Sequence, residues 1–314
     1  MKAVILVLLI LCGVVSLYGQ DSDDQLQEVV FNTSWYPQAQ FAGYFVAAKK
    51  GFYERRGIKA KFIFSTFDMG VQKNLTDGKA DLGIMWLHEG LMAHDKNDKI
   101  INIAQFIDTS NILIVSRKKD IKSIGIWKPY LGFLKTYIHK AMSDSIEIVP
   151  LRDGNEAFIY GAVDAVTVMY YNEFNQLINS GIDTKDLYIH RLSDMGLLLP
   201  EDGVYCLRDY YEKNQKLCYD FIEASLEGWQ YAFEHVDEAV QICFDYMKDA
   251  NYYSNVTVQK LMLNTLKQIT IEKKIGKNGY KLNKEAFNKM VKFLLKNGLI
   301  ASEIKYEQFC EGGL

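Results

Sequence analysis

Four short runs in this chain bring aromatic rings forward, three of them beside amides or carboxylates. They are Trp35-Tyr36-Pro37-Gln38-Ala39-Gln40, Trp86-Leu87-His88-Glu89, Gly125-Ile126-Trp127 and Tyr170-Tyr171-Asn172-Glu173. Indole and phenol faces can stack on a flat ring. Glutamine and asparagine amides both donate and accept hydrogen bonds, whereas an ionised glutamate only accepts. The first run offers rings and amides with no catalytic acid or base. Such a set suits holding a small planar molecule.

Each run must be delivered by a strand. Residues 28–31 read as a short apolar strand, and beyond Pro37 the apolar residues Phe41, Tyr44, Phe45 and Ala48 recur at helical spacing until Gly51. Residues 60–64 and 80–85 are further strands, separated by a helix over 68–77. Residues 146–149 form a strand ending at Pro150, and 165–169 another that emerges at Tyr170. Strands alternating with helices make an α/β chain whose strands open at one rim, where such folds bind ligands. Trp86 at that rim is either a ligand wall or core packing. Asn172 and Glu173 are either ligand contacts or the cap of the next helix.

Composition narrows the partners. The 314 residues carry a net charge of −3 with no long basic block, which argues against nucleic acid. Residues 1–19 read as a signal peptide, with one Lys, an apolar run and small residues at Gly13, Ser16 and Gly19. The competing reading is a lipoprotein leader with Cys12 lipidated, although Leu11 is larger than the residue usual before such a cysteine. Cys206, Cys218, Cys243 and Cys310 are widely spaced and read as buried free thiols. No cofactor or metal is expected.

The string Trp35, Pro37, Gln38, Gln40, Gly43, Tyr44, Ala47, Lys50-Gly51-Phe52-Tyr53 and Gly57 resembles the start of the mature domain in the NMT1/THI5-like group. The strand over 162–169 followed by Asn172-Glu173, and the segment Gly228-Trp229-Gln230-Tyr231-Ala232, are similar to the same group. The resemblance implies a two-lobed periplasmic-binding-protein-like fold of type II, with two strand crossings between the lobes. Lobe 1 is expected over 28–116 and 204–314, and lobe 2 over 117–203. It further implies an exported monomer, not an enzyme, that passes a small heterocycle to an ABC permease. The expected ligand contacts are Trp35, Gln38, Gln40, Tyr44, Trp86, Glu89, Trp127, Tyr171, Asn172 and Glu173.

Departures from the group leave the ligand open. Where the group has a Gly-Gly pair after the second strand, this chain has Ser65-Thr66-Phe67-Asp68, and where many pyrimidine binders have histidine it has Gln40-Phe41. Eukaryotic members that make the thiamine pyrimidine use that histidine and a dense cysteine cluster, both missing here, which argues against a synthase. A formylaminopyrimidine or hydroxymethylpyrimidine is the first expectation and riboflavin the second. An alkylsulfonate is third, because no Arg or Lys is expected at the pocket mouth. A ligand-sensing input module is the alternative to transport.

Overall fold

The computed structural model describes residues 26–66, 69–96, 99–152, 155–269 and 280–311. The proposed leader and Cys12 therefore lie outside the described residues. Two five-stranded sheets organise the rest.

The first sheet takes β1 (Gln27–Thr33), β2 (Ile58–Phe64), β3 (Leu82–Met85), β4 (Ile100–Ile107) and, from far along the chain, β10 (Glu201–Leu207). Its order is β2-β1-β3-β10-β4. Helices α1 (Ala42–Lys49), α2 (Val71–Thr76) and α3 (Leu87–Asp95) follow β1, β2 and β3. β1 runs parallel to β2 and β3, whereas β10 is antiparallel to both of its neighbours. Every residue of β3 and β4 is buried, as strands covered on both faces require.

The second sheet contains β5 (Ile112–Ser116), β6 (Ser123–Trp127), β7 (Glu147–Leu151), β8 (Ala165–Met169) and β9 (Tyr188–Arg191), in the order β7-β6-β8-β5-β9. Its helices are α4 (Leu131–Ala141), α5 (Glu156–Ile159) and α6 (Glu173–Asn179). β7 continues through Pro150, which the sequence reading takes as its end. An edge strand tolerates that missing N–H, and β7 is an edge strand.

The expected lobe boundaries need correction at both crossings. β5 pairs with β8 and β9, so the chain leaves the first sheet at residues 108–111, not after Ser116. The charged run 117–120 is a loop inside the second lobe. The return falls within 192–200, because β10 already starts at Glu201.

After β10 the chain is helical: α7 (Arg208–Lys213), α8 (Gln215–Glu234), α9 (Val236–Asp249), α10 (Val256–Ile269) and α11 (Lys284–Lys296). α8 packs on α1 through two glycines. A Cβ on Gly43 would lie 2.2 Å from the Trp229 ring, and one on Gly228 would lie 2.0 Å from the Gly43 carbonyl oxygen. Nothing larger fits, and the close crossing holds the first turn of α1 in place. Cys206, Cys218 and Cys243 are buried free thiols, and Cys310 is a partly buried one. Among the described residues no helix is long and apolar enough to cross a membrane.

Candidate ligand-binding site

A cavity of about 290 Å³ lies between the two sheets, at the carboxyl ends of β1, β3, β6, β7 and β8. The first lobe contributes Trp35, Tyr36, Gln38, Gln40, Trp86 and Tyr252. The second contributes Trp127, Tyr130, Arg152, Tyr171, Asn172 and Glu173. Each parallel strand ends where its hydrogen-bonded ladder stops, so the following residues are free to turn their side chains inward.

Behind β1 the turn is built locally. The Thr33 hydroxyl donates to the Trp35 carbonyl at 2.6 Å, which brings Trp35 and Tyr36 to the rim. Tyr36 stacks on Tyr252 with ring planes 4° apart. Gln38 and Gln40 then form an ordered pair. Gln38 Nε2 donates to Gln40 Oε1 at 2.7 Å, and Gln40 Nε2 donates to Asp202 Oδ2 at 2.8 Å. Gln40 has thus one amide atom committed on each side, and the Gln38 carbonyl is the group left for the cavity.

At the end of β3, Trp86 is nearly buried and still lines the cavity, so both readings of it hold in part. It stacks on Tyr130 of the other lobe. Trp127 meets the same tyrosine edge-on, with planes 80° apart. At the end of β8, Glu173 Oε2 accepts from the Met169 N–H at 2.9 Å, and Glu173 Oε1 accepts from Asn172 Nδ2 at 3.0 Å. Gln176 Nε2 donates to Asn172 Oδ1 at 2.8 Å. Neither Asn172 nor Glu173 spends its side chain capping the helix by the usual N-cap bond. Each Glu173 oxygen keeps one lone pair for a ligand.

Burial governs the electrostatics. Desolvation pushes the Glu173 carboxyl up to about 7, against the Met169 and Asn172 bonds that lower it. Asp202 is pushed up to about 6 by desolvation, opposed by the hydrogen bond from Gln40. Tyr130 and Tyr171 are raised by burial and remain neutral phenols. The Tyr171 hydroxyl is buried with no hydrogen-bond partner in the protein. Among the described residues no Cys, Lys or His lines the cavity. Among the described residues no cluster of His, Cys, Asp and Glu is arranged to hold a metal ion.

Eight of the ten expected residues line the cavity: Trp35, Gln38, Gln40, Trp86, Trp127, Tyr171, Asn172 and Glu173. Tyr44 and Glu89 do not. Tyr44 lies under the sheet, with its ring 4.6 Å from that of Phe31 and close to Phe106 and Trp229. Its helical spacing marks it as core. Glu89 is partly buried and turns back to accept the Trp86 N–H at 3.0 Å, satisfying a donor at the start of α3. Tyr130, Arg152 and Tyr252 are among the lining residues outside the expected ten. Tyr130 and Arg152 follow strand ends and could be found by the same rim rule. Tyr252 comes from a distant helical connection and carries no local signal. Arg152 also corrects the expectation of a mouth without Arg or Lys.

The family model described as NMT1/THI5 like matches residues 38–239. The chain belongs to the NMT1/THI5-like family. Among relatives of this NMT1/THI5-like protein is the formylaminopyrimidine-binding protein of Halalkalibacterium halodurans, 23% identical over 273 residues, covering 82% of this chain and 81% of that protein. The periplasmic aliphatic sulphonate binding protein SsuA from Escherichia coli superposes with a TM-score of 0.64 at 13% identity, over 90% of this chain and 97% of the other. The Candida albicans CA3427 gene product, described as having the generic periplasmic binding protein fold, gives 0.63 at 16% identity, over 91% and 96%. The two-lobed periplasmic-binding-protein fold is therefore the fold of this NMT1/THI5-like chain.

Proposed function

We propose that this protein binds a small aminopyrimidine between its lobes and hands it to the permease of an ABC importer outside the cytoplasmic membrane. The observation that carries the reading is the Asn172-Glu173 pair on the cavity wall, with acceptor capacity left on Glu173 and indole rings of both lobes around the same space. An exocyclic amine supplies the N–H that Glu173 lacks, and Trp35, Trp86 and Trp127 wall the ring. The formylaminopyrimidine-binding relative supports this ligand class. A cavity of about 290 Å³ is at the small end for ligand pockets, roughly 300–1,000 Å³, which favours a single ring over riboflavin.

Arg152 favours one second reading, an alkylsulfonate, since a guanidinium suits an anionic oxygen cluster. A thermal-shift panel of the purified protein with aminopyrimidines, riboflavin and taurine separates the readings. Ligand at about a hundred times its Kd should stabilise by roughly 2.7 kcal/mol. A shift with an aminopyrimidine that is lost in Glu173→Ala is the expected result. A shift with taurine alone would replace the first reading by the second. A shift with neither, in a protein encoded beside a signalling gene and no permease, would favour a sensing module.

A further inference from the structure

Asp202 is 4% exposed on β10 and one hydrogen bond from the lining residue Gln40, which is bonded in turn to Gln38. An ionised carboxylate can only accept, so Gln40 must turn its NH₂ group toward Asp202. That choice points the Gln40 carbonyl at Gln38, which must answer with its own NH₂. The Gln38 carbonyl then faces the ligand space. The other Asp202 carboxyl oxygen, Oδ1, is buried with no hydrogen-bond partner among the described residues. Nothing there pushes the relay the other way.

We infer that Asp202 sets the polarity of the Gln40–Gln38 relay, so that the site favours a ring bearing an amino group over the same ring bearing an oxo group where it faces Gln38. Asp202 touches no ligand and acts as a positioning residue. The choice of ring rests on the proposed function. The relay itself does not, since its direction is a property of the protein alone.

The test compares 4-amino-2-methylpyrimidine with its 4-oxo counterpart by calorimetry. Wild-type protein should prefer the amino ring by at least about tenfold, the scale of one satisfied against one unsatisfied hydrogen bond. Asp202→Asn gives the relay a terminus that can also donate, so both glutamines can reverse and the preference should shrink or invert. Adding Gln40→Glu to Asp202→Asn restores an acceptor-only neighbour for Gln38, and the amino preference should return. A circular-dichroism melt checks that each variant folds. An unchanged ratio in folded Asp202→Asn, or no rescue in the double variant, overturns the inference. Neutron diffraction of the ligand-free wild-type protein gives a second readout. A Gln38 deuteron on the line to Gln40 Oε1 is expected, and a Gln38 amide oxygen facing a deuteron of Gln40 overturns it. If neither pyrimidine binds wild-type protein, the proposed ligand class fails while the diffraction arm still decides the relay.

Discussion

Trp86 and Tyr130, carried by different sheets, stack with ring centroids 4.2 Å apart and planes 14° apart. Two residues on from Trp86, His88 stacks on Phe133, again across the lobes, at 4.2 Å. Burial drives the His88 imidazole down to about 3, so the contact stays uncharged at neutral pH. The lobes are therefore held together by the protein's own rings as well as by anything bound between them.

Tyr130→Ala should loosen that closure. It removes an aromatic pair worth about 0.5–1.5 kcal/mol beyond its buried area, and leaves the Trp86 face to water. Small-angle scattering of the ligand-free variant should report a larger radius of gyration than wild type, with weaker ligand binding. An unchanged radius would mean that the stack does not contribute to closure.

The buried carboxyls predict how stability and affinity follow pH. Glu173 and Glu89 are raised from 4.5 to about 7 by desolvation, and Asp202 from 3.8 to about 6. Between the unfolded and folded values the native state holds more protons than the unfolded chain, so stability falls as pH rises. The contribution is complete below about pH 4 and lost by about pH 7. The melting temperature of the ligand-free protein should fall from pH 5 to pH 8. A ligand that donates N–H to ionised Glu173 reverses the sign for binding, and its affinity should rise toward pH 7. In Glu173→Gln that rise should flatten.

Between the lobes, Glu201 fixes the crossing. Its two carboxylate oxygens accept from the Asn111 N–H at 2.6 Å and from Asn111 Nδ2 at 3.0 Å, joining the outgoing and returning segments. Glu201→Ala leaves the Asn111 N–H unmatched, while Asn111 Nδ2 keeps its bond to the Thr109 carbonyl at 3.3 Å, and should cost about 1–3 kcal/mol. Chemical denaturation measures the loss, and hydrogen exchange should show faster opening at residues 108–112. A variant as stable as wild type would show that water satisfies this crossing.

Arg152 separates the ligand classes. Arg152→Ala should weaken an anionic ligand by more than about tenfold, the scale of a charge-assisted hydrogen bond, and change affinity for a neutral aminopyrimidine much less. Equal losses for both would make Arg152 a structural residue of the rim.

Much of this was legible because strand ends announce themselves. Trp35, Trp127 and Asn172-Glu173 each follow an apolar run closed by a turn, and all of them reach one cavity. The same rule overreached at Tyr44 and Glu89, where helical periodicity and a helix-start bond compete for the side chain. The position of β5 was hidden for a different reason. Nothing in Ile112–Ser116 states which sheet will pair with it, since pairing depends on β8 and β9 far along the chain. Asp202 was equally silent. Its partner Gln40 lies 162 residues away.

The insertion of β10 between β3 and β4 also dictates an order of assembly. The second sheet is contiguous from β5 to β9 and can close as soon as that stretch exists, whereas the first has a gap in its middle until residues 201–207 are made. Sheets completed by distant segments form late, because the intervening loop must first be closed. A chain cut after Pro200 should protect the amides of β6 and β8 from exchange and leave those of β3 and β4 open. During synthesis, then, the segment from β1 to β4 remains the last part of the molecule to become a stable surface, although it is the first of the two sheets to be made.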